Sequence, residues 1–184
     1  MTAFLIVLAV AAEAYLLGSV DTGILVSKYL YHDDVRTHGS GAAGMTNMLR
    51  TFGKKAAALT AVGEVLKGVV AVCLGRWLFG HLPADAAVSP YLGVYLAAIL
   101  AVVGHSKPIY FGFKGGKGVL VAAGAYPALT LVYSLMRGLP TRDVVVCTVG
   151  AAIMGGMVIW MHRSNIQRIR DGKEYRFGQK HKSN

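Results

Sequence analysis

The feature that most constrains this chain is that its apolar residues come in blocks, over about 2–30, 56–79, 91–104, 119–136 and 144–161, and not at amphipathic spacing. About twenty residues of helix cross the hydrocarbon of a bilayer, where every backbone N–H and C=O has to be satisfied within the segment. Blocks of this length and polarity therefore predict an all-α, polytopic integral membrane protein with about five transmembrane helices. The third block is slightly short for a span unless it extends into the loop after it. A hydrophobic fraction of 54% against 15% charged residues supports the same class. The length of 184 residues predicts one transmembrane domain, 1–184.

The formal charge of +10 does not point to nucleic acid, because the basic residues collect in particular segments. The polar loop 31–55 holds Arg36, Arg50, Lys54 and Lys55; the loop 105–118 holds Lys107, Lys114 and Lys117; the tail 162–184 is strongly basic. The opposite connections carry only Arg137 and Arg142. Basic loops stay cytoplasmic, so five spans place the N-terminus outside, the C-terminus in the cytoplasm and both loops and the tail on one face of the inner (plasma) membrane. The first block lacks a basic n-region, carries Glu13 and runs well past a signal peptide's apolar length, which predicts a retained membrane helix. Gly18 is where that long block is expected to bend, and Asp21 then stands as an acid at or inside the membrane, paired or functional. Cys73 and Cys147 lie inside apolar segments and read as small fillers.

Within the first loop, Gly39, Gly41 and Gly44 lie in one run with Ser40, Thr46, Asn47 and Arg50. Closely spaced glycines let main-chain N–H groups turn toward an anion, hydroxyls add donors, and an arginine supplies a bidentate cation. The letters also spell G-x-G-x-x-G, but a dinucleotide fold needs a strand before the loop and a βαβ unit around it, and a bilayer-length segment stands on either side here. In the second loop, Lys114, Gly115, Gly116, Lys117 and Gly118 make a glycine turn flanked by ammonium groups. A nucleotide P-loop is excluded, since Gly118 stands where Ser or Thr is required. A helix starting near Gly118 would add its positive end to the same place.

Glu64 and Lys67 share a helical face at i, i+3. They predict either an internal ion pair or a lysine turned to the phosphate loop. His105, beside a glycine at a segment end, reads as an interface hydrogen-bonder. His162 and Asn165 are again i, i+3, on a helix leaving the membrane, with Arg168 near. No metal-ligand spacing occurs, and no cofactor is expected. Two cationic glycine loops and a His/Asn pair on one membrane face imply two anionic groups held together, hence phosphate chemistry on a lipid-related substrate.

These runs resemble those of the bacterial acyl-phosphate:glycerol-3-phosphate acyltransferases (PlsY). The matching residues are Leu17–Val20; Gly39-Ser40-Gly41, Gly44 and Thr46–Arg50 with Gly53-Lys54-Lys55; Glu64–Gly68; Gly104-His105; Phe111–Val119; and His162–Ile166 with Gly172-Lys173-Glu174. The resemblance implies transfer of a fatty acyl group from acyl phosphate to the 1-hydroxyl of glycerol 3-phosphate, with membrane lipid around the site. It also implies catalytic roles for Ser40, Arg50, His162 and Asn165, glycerol 3-phosphate binding by Lys117 and its glycines, and a structural role for Glu174, while the Glu64 position carries an acid in the family. The chain departs from the family at Asp21, at Ala42-Ala43 and at Glu64, where the family has aspartate. It also has about 43 residues between Gly118 and His162, room for two spans where the seven-helix family pattern has about four. Two other functions use the same loops: a non-catalytic homologue binding acyl phosphate or lipid, and a small organic-anion transporter.

Overall fold

A computed structural model describes residues 2–82, 89–123, 138–164, 167 and 171. Every regular element among the described residues is helical: α1 (Thr2–Ser19), α2 (Thr22–Tyr31), a 3₁₀ turn (Val35–Thr37), α3 (Met45–Phe52), α4 (Lys54–Phe79), α5 (Pro90–Ser106), a second 3₁₀ turn (Ile109–Phe111), α6 (Val119–Ala123) and α7 (Thr141–Met161). Four helical stretches are long and apolar enough to cross a membrane: Ala3–Tyr31, Lys54–Phe79, Leu92–Phe111 and Thr141–Val158. The expected fourth span, 119–136, is described only as far as Ala123, and Asn165, Arg168 and Glu174 lie outside the described residues.

The first apolar block is two helices. It breaks after Gly18, at Val20-Asp21, where the Asp21 carboxylate accepts the Ile24 N–H at 3.2 Å and caps α2. A short acid at a helix N-cap satisfies a donor that would otherwise be orphaned in an apolar setting. Gly18 serves packing instead of bending: a Cβ there would run into the Ala101 carbonyl of α5. Gly104 likewise faces the Tyr15 carbonyl of α1. Small residues let the two backbones approach closely, the usual basis of helix association where lipid removes most of the hydrophobic drive.

Contacts fix the directions of the bundle. Helix α4 touches Val10 of α1 and Ala97 of α5 at Gly75, and reaches Val20 and His105 at Lys67, so it runs opposite to both. Helix α7 meets α5 at Gly150 and Tyr95 and again at Met161 and Ser106, so these two run the same way. The core between them is built largely from small and branched residues, among them Val10, Ala14, Ala71, Ala97, Ala101 and Val102, with Met154 buried among them. Helix α4 is inside out by the standards of a water-soluble helix: Leu66 is 55% exposed and Val62 59%, while Glu64 and Lys67 are 2% and 6% exposed. That polarity is stable only if the outer face meets lipid and the charges meet each other.

Candidate functional site

The first loop is organised from inside by Asn47. Its Nδ2 shares two protons among the carbonyls of Val35, His38 and Ala42 at 3.0, 3.0 and 2.9 Å, and its Oδ1 accepts the Ser40 N–H at 3.1 Å. Asn47 was expected to bind substrate, yet it is buried and its amide is committed to the loop's own backbone. Gly39 sits at φ +53 directly against that amide, where a Cβ would strike Oδ1. Both the left-handed backbone and the close approach require glycine there. What the loop presents outward is Ser40, Gly41, Thr46 and Arg50, all exposed, with Gly44 half-buried.

The second loop is seated on His105. The Gly116 N–H donates to the His105 carbonyl at 3.2 Å, the same carbonyl lies where a Cβ of Gly115 would fall, and the ring Nε2 lies where a Cβ of Gly116 would fall. Gly118, at φ +70, packs on Val102. Lys114 is exposed, while Lys117 is half-buried.

Arg36 joins the two loops. Its guanidinium grips Asp34 through Nε and Nη2 at 2.9 and 2.7 Å and donates from Nη1 to the carbonyls of Phe111 and Lys114 at 2.8 and 3.3 Å. The guanidinium holds the Asp34 carboxyl down at about 2, from a usual 3.8. In the sequence Arg36 stands only as one of the loop's topology charges. Its one local signal was the acid two residues before it.

The third motif arrives at the same end. Ser106 Oγ lies 3.2 Å from Met161 Sδ, at the last turn of α7, and also stands beside Gly118. His162 follows directly, and its Nδ1 is 2.8 Å from the Val158 carbonyl. A carbonyl only accepts, so Nδ1 carries a proton there and Nε2 is the free acceptor of the neutral ring. The two glycine loops and His162 thus meet at one end of the bundle.

Beneath them lies a buried charged cluster. Lys67 Nζ donates to the Gly18 and Val20 carbonyls at 3.0 and 2.8 Å and pairs with Glu64 Oε2 at 2.6 Å. The same ammonium lies 3.1 Å from His105 Nδ1. That ring nitrogen is also 2.8 Å from Glu64 Oε2 and 3.5 Å from Asp21 Oδ2. Glu64 Oε1 accepts the Thr22 N–H at 2.9 Å. Of the two readings open for Lys67, the structure has the internal pair: the ammonium, expected among the substrate-binding groups, points to the break between α1 and α2. Ligand atoms of Asp21, Glu64 and His105 lie within 4.8 Å of one another, a spacing that would suit a metal ion, and the positive charge among them is the lysine's.

The family model described as Glycerol-3-phosphate acyltransferase matches residues 7–140. The chain belongs to this family. A glycerol-3-phosphate acyltransferase of Clostridioides difficile is 37% identical, with 93% of this chain and 95% of that protein covered. One from Neisseria meningitidis serogroup B is 36% identical, with 91% and 95% covered. The comparison with the former runs over 198 residues against 184 here, so that relative carries residues this family member lacks. Among solved structures, PlsY (YgiH), an integral membrane glycerol 3-phosphate acyltransferase in its glycerol 3-phosphate form, superposes with a TM-score of 0.72 at 30% identity, covering 94% of this chain and 96% of that one. Its lysophosphatidic acid form gives 0.71. The superposition thus covers more of the chain than the stretch matched by the family model.

Proposed function

We propose that this family member moves a fatty acyl group from acyl phosphate to the 1-hydroxyl of glycerol 3-phosphate, releasing lysophosphatidic acid and inorganic phosphate for phospholipid synthesis. The observation that carries the reading is the meeting of two glycine loops and His162 at one end of a membrane bundle, with Ser40, Arg50 and Lys114 exposed there. Acyl phosphate is a mixed anhydride and already activated, so the protein has to align two anions and neutralise their charge more than it has to supply a covalent nucleophile. Ser40, Arg50, Gly39, Gly41, Gly44 and Thr46 are assigned to one phosphate, and Lys114, Gly115, Gly116, Lys117 and Gly118 to the other. Asn47 supports the first group from within. The acceptor oxygen attacks the acyl carbon, the bond from that carbon to the phosphate oxygen breaks, and the hydroxyl proton passes either to Nε2 of His162 or to a substrate phosphate oxygen. Asn165 is assigned a catalytic role with His162, and Glu174 a structural one, as the resemblance to the family implies.

We place the site on the cytoplasmic face of the inner membrane, with the N-terminus outside and residues 1–184 forming one transmembrane domain. Purified protein, supplied with acyl phosphate with and without glycerol 3-phosphate, tests the activity. Phosphate release that needs the acceptor and falls at least about 100-fold in Arg50→Ala and His162→Ala is expected. Release without acceptor, or none, would favour the non-catalytic homologue.

A further inference from the structure

Four ionisable side chains, Asp21, Glu64, Lys67 and His105, are buried together although none is among the groups assigned above to contact substrate. Removing such groups from water, inside a membrane helix bundle, is costly unless the arrangement accomplishes something an apolar core would not. What depends on it is the placement of both loops. On one side, Lys67 and Glu64 bind the backbone at the α1–α2 break, and α2 in turn carries the first loop, with Gly23 packed so closely on the Ala43 carbonyl that no Cβ fits. On the other side, His105 supports the second loop through its carbonyl and its ring.

We infer that His105 is a positioning residue for acyl transfer: pinned through Nδ1 to Glu64, its imidazole is the seat that sets the height of the Lys114–Gly118 loop and so the fit of the acceptor phosphate. This rests on the proposed transfer to glycerol 3-phosphate. The ring is oriented from below by Glu64, Lys67 and Asp21 and meets the loop above at Gly116 and Gly118, so an error in its position is passed to the loop.

The test uses His105→Asn, Gly116→Ala and their double variant in the purified full chain. Asparagine keeps an amide that can donate or accept toward Glu64 and Lys67 but removes the outer part of the ring. A methyl at Gly116 would fall on Nε2, and the backbone at 116 is not in the left-handed region, so alanine is otherwise tolerated. Each single variant is expected to raise KM for glycerol 3-phosphate about tenfold or more, while KM for acyl phosphate stays within about twofold. In the double variant the methyl fills the space the ring vacated, and the combined effect is smaller than the product of the single ones. Trypsin, applied well below the unfolding temperature, is expected to cleave after Lys114 and Lys117 faster in His105→Asn than in wild type. An unchanged KM for glycerol 3-phosphate with wild-type cleavage overturns the inference, as does a double variant whose effects simply multiply. A wild-type protein that makes no lysophosphatidic acid overturns the proposed function instead, and the tryptic rates then decide the positioning role by themselves.

Discussion

Asn47 shows how one side chain can define a loop. Its amide meets three carbonyls and one N–H from four different residues, all within the chain segment that carries Ser40. Alanine at this position leaves buried backbone groups without partners, each at a cost of the order of 1–3 kcal/mol, partly recovered where water enters. Asn47→Ala should therefore lower stability by about 2–4 kcal/mol, read as a fall in the thermal midpoint in detergent, with a larger proportional loss of activity than of folded protein. An activity loss with unchanged stability would instead mean that Asn47 meets substrate directly.

Between elements, two contacts carry distinct expectations. Arg36 and Asp34 tie the first loop to the second, and Asp34 is held near 2 from a usual 3.8 by the Arg36 guanidinium. A depressed carboxyl stabilises the fold above its unfolded value and loses that contribution as pH falls through the folded one. Wild type should therefore be more stable than Asp34→Asn at pH 6, with the gap between their thermal midpoints closing between about pH 4 and pH 2. A gap that is constant with pH would show that the ion pair is not its source. The α1–α5 seam makes a steric prediction. Gly104→Val would drive methyls into the Tyr15 carbonyl and should cost roughly 3 kcal/mol, whereas Gly155, with open space around it, should accept alanine with less than about 1 kcal/mol of change in the same assay.

At the scale of the whole molecule, the directions of α1, α4, α5 and α7 put both glycine loops and His162 at one end, and the charge distribution then decides which side of the membrane that end faces. In sealed right-side-out vesicles, a cysteine placed at Lys114 should be labelled by a membrane-impermeant maleimide only after the vesicles are opened. One placed at His81, at the far end of α4, should be labelled without opening. The reverse pattern would invert the proposed orientation and leave the two loops away from the cytoplasm.

Local composition alone determined the class of fold, because a bilayer tolerates only long apolar stretches and makes each helix declare itself by its own residues. It also marked the glycine loops, since left-handed backbone and cation spacing are properties of a few adjacent positions. The tertiary structure decided what lies between those positions. Whether Lys67 faced the loop or Glu64 depended on where α1 broke and on which carbonyls that break released, and i, i+3 spacing is compatible with both. Arg36 could not be distinguished from any other loop charge until the carbonyls of Phe111 and Lys114 were brought to it from 75 and 78 residues away. The contact of His105 with Glu64 and Lys67 depends in the same way on the fold bringing α4 to α5. A hydrogen bond is specified by two partners, and when the fold brings the second one from a distant part of the chain, the first residue's neighbours in sequence carry no record of it.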